Sequence, residues 1–245
     1  MSAVNGIGNS ELAQKRLDAG PRSVPGVDLA GSVPVFGSRP GSRLTDGVSF
    51  ADFSRKRLIF GDFTRRGETH VYRVNCKAGD RLRAQLFVPV LPRGGAVLPT
   101  FAIVARSLPY SSDAQKVPLE LPHGYRSIVA PPPTELLQPV KDLLTHVHYY
   151  PGPLIDTRTL VGGRCYLVVW IPHNQIGKYV ISIGHRWHLR WSYWAQLPIY
   201  WWRIRSWFGL SRAAAYYLLA GGLVTLLAAA TILRRLGRRA RPEPI

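Results

Sequence analysis

Acidic side chains are what this chain most conspicuously lacks: 14 Asp+Glu stand against 32 Lys+Arg in 245 residues, a formal net charge of +18. That balance excludes an ordinary acidic soluble enzyme and leaves nucleic acid or an anionic membrane surface as the natural counter-charge. Cysteine is equally scarce. Cys76 and Cys165 are the only two, too few for a disulfide-dense secreted scaffold and too far apart for a zinc site or a CxxC redox pair. Each falls in an expected strand. A bond between them would close a loop of about 90 residues and contribute roughly 4–5 kcal/mol in the loop-entropy account; two buried free thiols are the alternative. No HExxH, no GxSxG and no paired-carboxylate pattern occurs, so no catalytic residue is expected. An export signal is missing as well. The first 45 residues hold no basic start followed by an apolar stretch; seven Gly, four Pro and six Ser give residues 1–45 the composition of a flexible arm.

The charge that is present is unevenly placed. Residues 186–245 carry ten Arg, no Lys and one acid, and six of the seven Trp. Within them Ala213–Leu233 reads AAAYYLLAGGLVTLLAAATIL, without a charged side chain. As a helix it would extend roughly 32 Å, the thickness of a bilayer core. Arg212 precedes it and Arg234, Arg235, Arg238, Arg239 and Arg241 follow. One transmembrane helix is therefore expected over 211–234, with a basic tail over 235–245. Gly221, Thr225 and Ala229 recur every fourth residue in the span, a small-residue stripe on which a partner helix could pack closely.

The approach to the span supports the same reading. Trp187, Trp191, Trp194, Trp201, Trp202 and Trp207 alternate with Arg186, Arg190, Arg203 and Arg205. Indole rings settle at the headgroup layer, and arginine buries its stem while its guanidinium meets phosphate. After Pro198, which suits a helix start, Trp201, Ile204 and Phe208 fall at i, i+3 and i+7 with Arg203 opposite. An amphipathic interfacial helix is expected within 186–210. A single-stranded nucleic-acid groove uses the same residue types, but the adjoining hydrophobic span favours anionic headgroups as partner over nucleic acid. Five Arg after the span against three before it place the tail in the cytoplasm and the bulk of the chain outside. A tail-anchored chain with its folded domain in the cytosol is the alternative.

Residues 46–185 read as strands and turns. Arg81–Leu86 alternates polar and apolar residues at period two, while Phe101–Val104, Cys165–Ile171 and Tyr179–Ile183 are short runs rich in β-branched and aromatic residues. Gly and Pro clusters punctuate them, and only Pro133–Leu144 has a helical look. Many short strands imply one β-sandwich. The segments Gly67-Glu68-Thr69-His70-Val71-Tyr72-Arg73-Val74, Ala78-Gly79-Asp80-Arg81-Leu82 and Gly177-Lys178-Tyr179-Val180-Ile181-Ser182-Ile183-Gly184 resemble the pre-peptidase C-terminal type of β-sandwich. That family has a Tyr-bearing strand, an Ala-Gly-Asp turn and a final Gly-x-Tyr strand. The resemblance covers the first and last thirds of the sandwich. It implies an accessory or binding module with no catalytic residues, here in a membrane-anchored bacterial protein.

One constellation points elsewhere. In Leu144–Tyr150, His146 and His148 would lie on one face of a strand, able to bind copper or zinc with a third ligand such as His70 or His173. Asp156 with either histidine would imitate a base and its orienter, although no nucleophile motif accompanies them. The expectation is thus a mainly β chain: one sandwich of jelly-roll or pre-peptidase C-terminal type, an interfacial helix and one C-terminal span. Its expected role is that of a non-catalytic accessory subunit or binding module of a membrane complex, with no cofactor. The alternative is an extracytoplasmic copper-handling protein, or the small subunit of a membrane metalloenzyme such as a copper-dependent monooxygenase.

Overall fold

In a computed structural model of the chain, residues 32–37, 40–50, 52–92, 95–106, 108, 117–130, 138–142, 144–173, 175–187, 191–211 and 213–239 are described. Among these, eleven strands and two helices follow in order: β1 (Val33–Phe36), β2 (Val48–Phe50), β3 (Arg57–Phe63), β4 (Thr69–Cys76), β5 (Arg81–Pro89), β6 (Thr100–Ala105), β7 (Arg126–Ala130), β8 (Val140–Lys141), β9 (His148–Arg158), β10 (Gly163–Trp170), β11 (Gly177–Ile183), α1 (Trp191–Trp207) and α2 (Ala213–Arg239). The strands form two sheets, ordered β1-β3-β11-β5-β9-β8 and β2-β4-β10-β6-β7. β1 and β2 pair in parallel with β3 and β4; every other pairing is antiparallel. The chain is therefore mainly β and a two-sheet sandwich.

Three apolar layers hold it together. Ile59, Leu82, Leu86, Ile103, Leu167 and Ile181 fill the space between the sheets. The outer face of the first sheet presents Leu58, Phe60, Phe87, Tyr149 and Val180, which are covered by Ile204 of α1 and by Phe208 immediately after it. The outer face of the second sheet presents Val71, Ala102, Val104 and Val168 beneath Val117, Leu119, Leu121 and Tyr125. Double coverage explains why β5 departs from expectation. It alternates only over its first four residues and is buried on both faces from Gln85 onward, because Phe87 points outward into the layer that α1 seals.

The buried motif residues of the sandwich meet one another. The Tyr179 hydroxyl shares hydrogen bonds with His70 Nδ1 at 2.6 Å and with the Tyr72 hydroxyl at 2.8 Å, and Phe63 stacks on the imidazole with centroids 4.2 Å apart. His70 Nε2 lies 3.2 Å from Glu68. With Nε2–H turned toward that carboxylate, Nδ1 is the acceptor and Tyr179 donates. Burial holds His70 below its usual pKa, although Glu68 opposes the shift; it pushes the Tyr179 phenol well upward. Gly61 of β3 makes this possible, since a Cβ there would run into the Tyr179 ring.

Several boundaries differ from the sequence reading. The arm does not run to residue 45. Val33–Phe36 forms a strand of the first sheet, because Phe36 stacks on Phe60 at 4.5 Å; residues 1–31 lie outside the described residues. Val140–Lys141 is a strand, paired with β9, where helix was expected over 133–144, and 131–137 lie outside the described residues. α1 starts seven residues before Pro198 rather than after it. The cost of an interior proline is the lost bond to the carbonyl four residues back, here that of Trp194, and both residues are exposed so that water can take that bond. At the other end α1 closes in a Schellman motif, with Gly209 N–H bonding Ser206 O and Leu210 N–H bonding Arg205 O. Gly209 sits at φ +69°, where a side chain would be strained. Four residues after Gly209 α2 begins, its Ala213 N–H capped by Ser211 Oγ.

Candidate functional site

Two places hold chemistry that the sequence singled out, the α1–α2 segment and the β8–β9 turn; a third, the end of the sandwich where the chain leaves β11, emerges only from the fold.

The apolar stripe Trp201/Ile204/Phe208 exists, but its buried part faces protein. Ile204 and Phe208 are about as buried as any residue of the fold, and each such burial contributes about 1.5–3 kcal/mol. Trp201 Nε1 donates to Leu144 O at 3.1 Å and Arg205 Nη1 to Thr145 O at 3.0 Å. Lys178 Nζ donates to Trp207 O and lies 4.8 Å from the Trp207 ring centre. Arg203 sits over Phe36 at 4.9 Å, and Trp202 packs edge-on against Tyr216 of α2. Trp187 and Trp194 remain exposed. The Trp191 side chain lies outside the described residues.

Every described side chain of α2 from Ala213 to Thr231 is exposed, including Leu223, Val224 and Leu227. Gly221 has open space around it, as does Gly222. Thr225 and Ala229 are likewise uncovered. Among the described residues no helix is long and apolar enough to cross a membrane, the described side chains of α2 being interrupted at 214, 215, 218, 219 and 226. The helix continues through 235–239; the remainder of the basic tail, 240–245, lies outside the described residues.

His146 and His148 do not share a strand. β9 begins at His148, and His146 stands in the preceding turn at φ +57°. The turn is built on Asp142, whose carboxylate accepts the Thr145 N–H and hydroxyl, each at 2.6 Å. Both imidazoles are exposed, alternating with buried Thr145, Val147 and Tyr149. The suggested third ligands are not brought to them: His70 is in the core and His173 is on a separate exposed loop. Among the described residues no group of three or more His, Cys, Asp or Glu is arranged to hold a metal. Asp156 serves neither histidine as orienter. It forms a two-pronged pair with Arg81, with Nε–Oδ1 at 2.7 Å, and this contact holds its carboxyl below the usual range.

Cys76 and Cys165 lie on neighbouring strands, offset by two positions in the β4–β10 register. Both are buried free thiols. A hydrogen bond with Cys165, together with burial, drives the Cys76 thiol strongly upward in pKa, so it is held as a neutral thiol.

The fold also forms a cleft of ≈ 780 Å³ where β4, β9 and β11 end, bordered by Lys77, Asp80, Arg81, Arg158, His185 and Arg186. Its residues are scattered from 52 to 186, and only the fold assembles them. The one available signal was the Ala78-Gly79-Asp80 turn, in which Asp80 accepts the Lys77 N–H at 2.7 Å.

No protein-family model and no curated protein matches the chain. Among solved structures it is similar to the pre-peptidase C-terminal domain of a collagenase from Bacillus anthracis, with 15% identity, TM-score 0.32, and coverage of 60% of this chain and 100% of that one. It is also similar to a periplasmic lysozyme inhibitor of g-type lysozyme from Aeromonas hydrophila, with 12% identity, TM-score 0.31, and coverage of 64% and 97%. The first is the fold type that the Gly67–Val74, Ala78–Leu82 and Gly177–Gly184 segments resemble. At these scores the likeness carries nothing about function.

Proposed function

We propose that the chain is a single-pass membrane protein whose β-sandwich acts as a non-catalytic accessory subunit or binding module of a membrane complex. The sandwich is extracytoplasmic and the arginine-rich end of α2 is cytoplasmic. The observation that carries this reading is the exposure of α2. A helix that is apolar on all sides belongs in a core or in lipid, and α2 is outside the sandwich core. Its two described threonines satisfy their hydroxyls within the helix, Thr225 on Gly221 O at 2.8 Å and Thr231 on Ala228 O at 2.7 Å, as apolar surroundings demand. The uncharged run 213–233 of the sequence, which includes side chains outside the described residues, supports this reading. The open Gly221/Thr225/Ala229 stripe supplies a docking face for a partner span. Trp187 and Trp194, left exposed by the fold, are the indoles free to meet anionic headgroups.

Alkaline carbonate extraction of cell membranes tests the anchor. The wild-type chain is expected to stay in the pellet. The Leu223→Arg/Leu227→Arg variant is expected in the supernatant, each arginine costing about 2.5–3.5 kcal/mol at a helix centre. A wild-type chain released by carbonate would overturn the anchor. Native-size measurement in mild detergent tests the subunit role, which a strictly monomeric wild type would remove. Protease applied to intact cells is expected to digest the sandwich, and protection would reverse the topology.

A further inference from the structure

The cleft at the end of the sandwich holds an electrostatic arrangement that the fold does not explain. Arg81 stands directly across from Arg158 in the β5–β9 register. A second arginine couple, Arg55 and Arg186, forms an isolated parallel bridge beside it. Like charges directly opposite each other destabilise a strand pair. In each couple one member is neutralised locally, Arg81 by Asp156 and Arg55 by Asp52 at 3.7 Å. The other member is not. Arg158 and Arg186 have no acidic partner among the described residues, and neither does the Lys77 ammonium on the same cleft wall. The two acids that border the cleft are already engaged: Asp52 accepts from the Ser54 N–H and hydroxyl, and Asp80 from Lys77 N–H. His185 adds a buried Nδ1 with no hydrogen-bond partner.

We infer that this cleft binds a phosphate-bearing organic anion, with Lys77, Arg158 and Arg186 as the cationic contacts and His185 as a further polar contact. Three cations approach from three segments, the β4–β5 turn, the end of β9 and the exit from β11. Such convergence suits a tetrahedral group with several charged oxygens better than a planar carboxylate. The cleft volume is that of an organic ligand rather than a bare ion. The cleft lies at the opposite end of the sandwich from Leu144, Thr145 and Lys178, which hold the C-terminal half of α1. The inference does not depend on what covers α2.

The test is calorimetric titration of the full chain, in uncharged detergent, with inorganic phosphate, phenyl phosphate and dioctanoyl phosphatidic acid. The expected result is saturable one-site binding of phenyl phosphate, at least tenfold tighter than inorganic phosphate. It should be weakened tenfold or more in Arg158→Gln/Arg186→Gln and unchanged in Arg66→Gln, an exposed arginine in the β3–β4 connection at the other end of β4. The double variant is also expected to melt no lower than wild type without ligand, because it removes two like-charge oppositions; that readout separates lost binding from lost folding. Binding of phenyl phosphate assigns the site to soluble esters. Binding confined to phosphatidic acid, and lost in the double variant, assigns it to a lipid headgroup. No saturable binding of any probe, or equal weakening by Arg66→Gln, would overturn the inference.

Discussion

Two helices follow each other with five residues between them, and they treat apolar side chains in opposite ways. α1 and the residue that follows it turn Ile204 and Phe208 onto Phe60, Phe87, Tyr149 and Val180 and complete a layer of the sandwich. α2 presents Leu223, Val224 and Leu227 to its surroundings. The aromatic, arginine-rich composition of the first and the aliphatic composition of the second would both be read as membrane-seeking. α1 leaves Trp194 and Ile199 exposed, whereas α2 leaves every described side chain from Ala213 to Thr231 exposed. The lesson is that a helical stripe records that something covers it, while the identity of the cover is decided by whichever apolar face the rest of the chain leaves open.

That contrast can be broken by mutation. Phe208→Ala should have the largest effect. It removes a ring buried against Tyr149, with centroids 5.1 Å apart, and is expected to lower sandwich stability by about 3–5 kcal/mol in urea unfolding. A change below about 1 kcal/mol would mean that α1 is a peripheral strap.

Acid provides a second probe. Burial holds His70 below the usual histidine range, so the unfolded chain binds the extra proton first. The contribution is fully present above about pH 6.5 and is lost as pH falls through the lower folded value, with a slope of at most about 1.4 kcal/mol per pH unit for one proton. Glu68, held below 4.5, loses its share only at lower pH. Urea midpoints should therefore be flat above pH 7 and decline below 6.5, with a reduced slope in that window for His70→Gln. Tryptophan fluorescence and far-ultraviolet dichroism should give the same midpoint throughout if α1 unfolds with the sheets. Separate midpoints would detach the helix from the core.

The glycines give the finest comparison. Gly209→Ala strains a left-handed residue that closes α1 and should cost about 1 kcal/mol in the same unfolding assay. Gly221→Ala in α2, where nothing lies within reach of a new Cβ, should leave the sandwich midpoint within about 0.5 kcal/mol. Equal effects at the two positions would erase the distinction between the helices.

The parts of this architecture legible in the sequence were those governed by local pattern. β4, β5, β6, β10 and β11 announce themselves through β-branched and aromatic runs, and the Tyr72 and Tyr179 strands through a family-like motif. β1 was hidden because Gly, Pro and Ser around Val33–Phe36 resemble a flexible arm; its stability comes from Phe60, distant in sequence. The start of α1 was hidden by Pro198, whose penalty is relieved by exposure that no sequence reports. His146 and His148 looked like a strand pair because alternation continues through the turn, with buried Thr145 and Val147 between them. The cleft was invisible for a simpler reason: its cations are separated by up to about a hundred residues and become neighbours only through strand register. The same holds for the His70–Tyr179 hydrogen bond, which joins residues 109 positions apart.

The closed end of α1 has a mechanical consequence. Gly209 stands in its capping turn, Arg205 reaches both Thr145 O and Ser211 O, and Trp202 rests on Tyr216, so the described part of the link to α2 is braced at three points. A module on a long tether sweeps a wide volume and meets partners by chance encounter. A module on this short, braced link samples few orientations, so a partner assembled against α2 would find the sandwich already aimed. Lengthening the link with glycine and serine after Ser211 would trade that fixed aim for reach.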